Sequence, residues 1–145
     1  MDESRRAGSW FRRLFARGGA RSRLDPTRSD LVVVASCFDD AEACSAALQR
    51  AVETEPRLDP DAELLLRHHL FVPERAVSRV SEIAAQDGYL PAEPVLSNPD
   101  GLTAVVLQRV QRLDALHCSQ ERSRMAGLAQ RHDGHVAGWD AMQPG

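Results

Sequence analysis

The strongest constraint on this chain is the succession that begins at Glu63, where strand-length apolar runs alternate with stretches of helical spacing. Glu63-Leu-Leu-Leu-Arg-His-His-Leu-Phe-Val72 reads as a strand. Pro73 and Glu74 open a helix through Gln86, with Val77, Val80 and Ala84 on its core stripe and Gly88 where a left-handed cap is wanted. A Pro-interrupted strand at 89–96 follows, an edge because proline cannot donate to a ladder. Asn98-Pro99-Asp100-Gly101 is a turn, and Leu102–Val110 is apolar enough for a central strand. A last helix spans 117–132, with Ser119 as a capping residue and a break at Gly134. A short strand at 135–139 closes the domain in a Gly138–Trp139 turn. The order β-α-β-β-α-β predicts an α/β (α+β) fold of the ferredoxin-like split kind, an antiparallel sheet with two helices on one face.

Ahead of this domain, residues 62–142, stands a strand-helix extension at 30–61. Asp30–Phe38 is β-branched and apolar on both faces, which predicts cover on both. Asp39, with Glu42 three residues later, predicts a capping box for a helix carrying Ala41, Cys44, Leu48 and Val52 that stops before Pro56. Residues 1–29 hold eight Arg against three acids, +5, and residues 30–145 hold ten Arg against eighteen acids, −8, which sum to the net −3. A basic arm thus precedes an acidic body.

The arm divides in two. Gly18-Gly19 and residues 22–26 are linker-like. At about 100° per residue, Trp10, Phe11, Leu14 and Phe15 share an arc of about 140°, with Arg5, Arg6, Arg12 and Arg13 opposite. Residues 8–17 therefore suit an anionic membrane surface, with Trp10, Phe11, Arg12, Arg13, Leu14 and Phe15 as the contact residues. A groove on a partner or RNA would suit them too. The remaining reading is a basic tail whose aromatics pack on its own domain.

Several function classes lose support. No apolar run approaches bilayer length, the first 24 residues lack the apolar core of a signal peptide, and Met1-Asp2-Glu3 lacks a myristoylation glycine. A cytoplasmic protein is expected, with the arm as its route to peripheral contact at the inner face of the membrane. Cys37, Cys44 and Cys118 show no CxxC spacing and read as reduced thiols. His68 and His69 are adjacent in a strand and point to opposite faces, which predicts one buried and one semi-exposed imidazole rather than a mononuclear metal site. Nucleophile elbows, phosphate-cradling glycine loops and a nominable carboxylate pair are missing from the sequence. No catalytic residue, cofactor or metal is expected, and the protein is not read as an enzyme. Leu102–Val110 carries no aromatic and Glu63–Val72 only Phe71, which disfavours nucleic-acid binding by the acidic domain and favours a partner with a basic surface.

Three landmarks occur in order: Leu66-Arg67-His68-His69-Leu70; Gly88-Tyr89; and Leu128-Ala129 followed by Gly138-Trp139. Over residues 62–142 they resemble the regulator of ribonuclease activity B family, protein inhibitors of ribonuclease E. The resemblance implies an α/β domain without catalytic residues. It would bind the endoribonuclease and alter RNA decay by occluding or remodelling a protein surface. The long acidic C-terminal tail of the best-known members has no counterpart in the sequence to Gly145, so binding through such a tail is not expected. Trp139 is expected to pin the terminal strand rather than to form a binding hot spot.

Overall fold

The computed structural model describes residues 23–97 and 101–145. The arm residues Trp10, Phe11, Arg12, Arg13, Leu14 and Phe15 lie outside the described residues, as do Asn98–Asp100 of the expected turn.

The elements run β1 (Leu31–Cys37), α1 (Cys44–Glu53), β2 (Leu64–Val72), a 3-10 turn (Glu74–Ala76), α2 (Val77–Ala85), β3 (Leu90–Ala92), β4 (Thr103–Gln111), α3 (Ala115–Gln130) and β5 (His135–Pro144). They form one five-stranded sheet in the order β1-β5-β2-β4-β3, with every pairing antiparallel. Counted from β2, the last four strands take the order 4-1-3-2, the arrangement that a split β-α-β-β-α-β unit produces. The α+β fold expected from the sequence is the fold observed.

Alternation along β2 divides the sheet. Leu64, Leu66, Leu70 and Val72 face the helices. One buried cluster joins Ala47 and Ala51 of α1 to Leu64, Leu66, Cys118, Trp139 and Ala141. A second joins Val80 and Ala84 of α2 to Leu70, Tyr89, Leu107, Met125 and Leu128. Each Leu-sized side chain so buried contributes about 1.5–3 kcal/mol. All three helices lie on this face: the two of the split unit and, beside α3, α1 of the extension.

Other expectations need correction. β1 joins the sheet beside β5 as an edge strand, so it is not covered on both faces, and Val33 is 41% exposed. Asp39 does not cap α1: its carboxylate accepts from the Ala41 amide in the preceding turn, and the helix starts at Ala43 without a side-chain cap. Nor does Ser119 cap α3. Asp114 does, its Oδ1 accepting from the His117 amide at 2.8 Å, a bond of the type that contributes about 1 kcal/mol. β3 is an edge as read but keeps only three residues.

Helix α2 ends as its glycine suggests. Gly88 has φ +86°, its amide bonds the Ala85 carbonyl, and the Tyr89 amide reaches back to Ala84, a Schellman closure. At the end of α3 the left-handed residue is Asp133, φ 63°, one position before the expected glycine break.

The largest correction concerns the last strand. It runs ten residues, not five, because it is paired on both sides, with β1 and β2. Gly138 and Trp139 accordingly sit inside a strand and form no turn. A Cβ on Gly138 would stand 2.4 Å from the Phe38 ring and 2.5 Å from the Cys37 carbonyl oxygen. Gly138→Ala should therefore destabilise the protein by about 1–3 kcal/mol, the usual cost of overpacking. Adding Phe38→Ala should not restore stability, because the carbonyl clash remains; urea denaturation checks both variants.

Candidate functional site: polar groups on both faces of the central strand

The polar residues that sequence reading singled out converge where β2 meets β5. Three consecutive cross-strand pairs do this: Arg67 with Asp140, His68 with Trp139, and His69 with Gly138. Tyr89 joins them from the end of α2, its ring 5.6 Å from that of His68 in an edge-on contact. His68, His69, Gly88, Tyr89, Gly138 and Trp139 thus belong to one neighbourhood or hold a member of it.

On the helix side, His68 is 2% exposed. Its Nε2 lies 3.4 Å from the Tyr89 hydroxyl, which donates to Glu121 Oε1 at 2.7 Å. Because that hydroxyl spends its proton on the carboxylate, a bond from His68 requires the proton on Nε2. Burial pushes the His68 imidazole down to about 3, against the pull of Glu121 and with the help of Arg109. It is neutral near pH 7 and too weak a base for proton transfer there.

Burial, reinforced by the bond to Glu121, raises the Tyr89 hydroxyl. Burial works to raise Glu121 as well, but the Tyr89 bond and the guanidiniums of Arg109 and Arg124, 3.4 and 3.2 Å away, outweigh it and hold the carboxyl below its ordinary value. Arg109 also stands 4.4 Å from the centre of the Tyr89 ring and donates to the Asp87 carbonyl.

On the opposite face, Arg67 donates to both oxygens of Asp140 at 2.7 and 2.9 Å, and His69 Nε2 lies 2.8 Å from Oδ2. Burial opposes ionisation of Asp140, yet the bonds from His69 and Arg67 keep its carboxyl below the ordinary range. The expected semi-exposed histidine is absent: His69 is as buried as His68, since Phe38 of the β1 edge packs 5.4 Å from its ring. The two imidazoles do point to opposite faces. Among the described residues no group of three or more His, Cys, Asp or Glu side chains could hold a metal ion.

A further cluster was not visible in the sequence. Arg122 of α3 donates to the carbonyls of Glu42 and Asp39 at 2.6 and 2.9 Å, and its guanidinium stands 3.7 and 3.6 Å from the sulfurs of Cys44 and Cys37. Burial and a bond with Cys44 raise the Cys118 thiol. All three cysteines are free and buried. The arrangement pins the β1–α1 connection to α3.

A cavity of about 180 Å³ opens beside this centre, lined by His68, Trp139, Arg122 and Gln130 among others. Among the described residues the Nδ1 of His68, the Nδ1 of His69 and the Nε1 of Trp139 are buried and find no hydrogen-bond partner. Buried orphans of this kind each cost about 1–3 kcal/mol. The neighbourhood therefore pays for polarity at its centre, with two ion clusters as the return.

No family model, curated protein or solved structure matches this chain.

The two clusters predict different acid responses. Between about pH 3 and 6.5 the unfolded chain binds a proton at residue 68 that the folded chain refuses, so this contribution is complete above about pH 6.5 and falls on acidification by up to about 1.4 kcal/mol per pH unit. Asp140 contributes above its unfolded value near 3.8 and its share is lost only as pH falls through the lower folded value. Urea midpoints at pH 7 and pH 5 should converge in His68→Leu. Asp140→Asn should keep that difference but lose about 3 kcal/mol at pH 7, the scale of a broken buried pair.

Proposed function

We propose that this protein is a non-enzymatic, protein-binding regulator of an endoribonuclease of the ribonuclease E type, acting in RNA decay from the cytoplasm. The observation that carries the reading is the convergence of the landmarks. His68 pairs with Trp139, His69 pairs with Gly138, and Tyr89 packs against His68, so residues scattered over 72 positions from 68 to 139 form one structural unit.

Charge supports a protein partner. The body carries −8 over residues 30–145, and an acidic surface attracts a basic one and repels nucleic acid. The chemistry of the centre supports a binding role. His68 is held neutral, and the carboxylates of Glu121 and Asp140 are each engaged with two arginines or with an arginine and a histidine. Groups so buried and committed hold the strands and helices in register; they are poorly placed to turn over a substrate. Regulation then follows from steric occlusion or remodelling of the bound enzyme.

Tagged full-length protein should capture ribonuclease E and slow its cleavage of a model RNA in vitro. A well-folded preparation that does neither contradicts the reading.

A further inference from the structure

We propose that the outer edge of β1 docks an extended segment of a partner protein, apolar at its centre and basic at its ends, as a further strand of the sheet. β1 pairs only with β5 and so ends the sheet. In an antiparallel ladder, residues alternate between pairs that exchange bonds and pairs that do not. The Gly145 amide donates to the Asp30 carbonyl at 2.8 Å, so Asp30 belongs to the first kind. Leu31 and Val33 therefore turn their N–H and C=O away from β5. The register shift between Val33 and Ala35 resets the alternation and turns Ser36 outward as well. Its carbonyl accepts from Arg50 at 2.9 Å, which agrees. Among the described residues no strand meets the outward groups of Leu31 and Val33 or the amide of Ser36.

The two edges of the sheet are built differently. β3 keeps three residues, one of them Pro91, and proline blocks strand addition. β1 runs Leu-Val-Val-Val-Ala-Ser-Cys, seven residues without a charge or a proline. Val33 and Phe38 stand 41% and 50% exposed along it. Beside it a recess of about 190 Å³ lies between the strand and α1, with Ser36, Ala47, Arg50 and Thr54 in its wall. A strand laid on β1 would turn alternate side chains to this side, and the recess has room for one aliphatic group. Main-chain bonds then supply affinity, and the recess selects the side chain.

Charge selects the occupant. Residues 28–57 hold six acids against three arginines, a balance of −3. Arg28, Arg50 and Arg57 pair with Asp30, Glu42 and Glu55. Asp39, Asp40 and Glu53 are exposed and form no ion pair among the described residues. A second copy on this edge would bring those acids together, whereas a segment with basic ends would neutralise them. The proposal does not rest on the ribonuclease reading.

The test uses the full chain, isotope-labelled, and a synthetic peptide of alternating valine and threonine with arginines at both ends. Added peptide should slow amide exchange at Leu31, Val33 and Ser36 and leave the β3 amides as they were. Val33→Pro removes an outward N–H without touching the β5 ladder and should weaken binding about tenfold. Glu53→Arg, on the exposed end of α1, should weaken it too and serves should the proline variant not fold. Exchange rates that the peptide leaves unchanged would overturn the proposal. Equal binding of the same peptide with glutamate ends would do so as well. So would amides at 31, 33 and 36 that are already slow in the free protein, since the chain itself or a second copy would then occupy the edge.

Discussion

Residues 67–69 of β2 meet residues 140–138 of β5 in three consecutive pairs, and each pair closes a different part of the molecule. Arg67 with Asp140 sets an ion pair on the helix-free face. His68 with Trp139 places the largest buried side chain among α1, α3 and the sheet, next to the Tyr89–Glu121 bond. His69 with Gly138 leaves the space that Phe38 of β1 occupies. The closing strand is therefore what joins the extension to the split domain. Without it β1 has no neighbour in the sheet.

Polar groups at the centre of a small fold carry a desolvation cost, and here the cost is offset by mutual engagement. Asp140 takes three bonds from two residues, and Glu121 takes a hydroxyl and two guanidiniums. Such clusters fix register, because a one-residue slip of β5 against β2 would send Asp140 to the wrong face. An apolar ladder of leucines and valines would tolerate that slip far better. The specificity of the fold is thus concentrated in a few charged residues, while its free energy comes from the two apolar clusters around them.

Much of the architecture was legible because it rests on local signals. Apolar runs of strand length, Pro73 before a helix and Gly88 after it gave the element order, and the order dictates the 4-1-3-2 sheet. What escaped was decided by tertiary pairing. Residues 140–144 carry an aspartate, a glutamine and a proline and look unlike a core strand, yet two neighbours hold them extended. Adjacent His68 and His69 read as one buried and one half-exposed imidazole, yet both are buried, Phe38 lying against the His69 ring from thirty-one residues earlier in sequence. Asp114 caps a helix that begins at Ala115, two residues ahead of the stretch from 117 that periodicity marks. Arg122 and the three cysteines share no spacing, so their meeting had no sequence signature at all.

If the β2–β5 junction is the element on which the rest depends, native-state hydrogen exchange reads it directly. The amides of residues 66–70 and 138–141 should exchange only through global unfolding, with the same free energy at each, while β3 and the outer side of β1 open locally at lower cost. Amides of β5 that exchange well before those of the β2–β4 ladder would contradict the account, because the closing strand would then be an appendage to the sheet and not its junction.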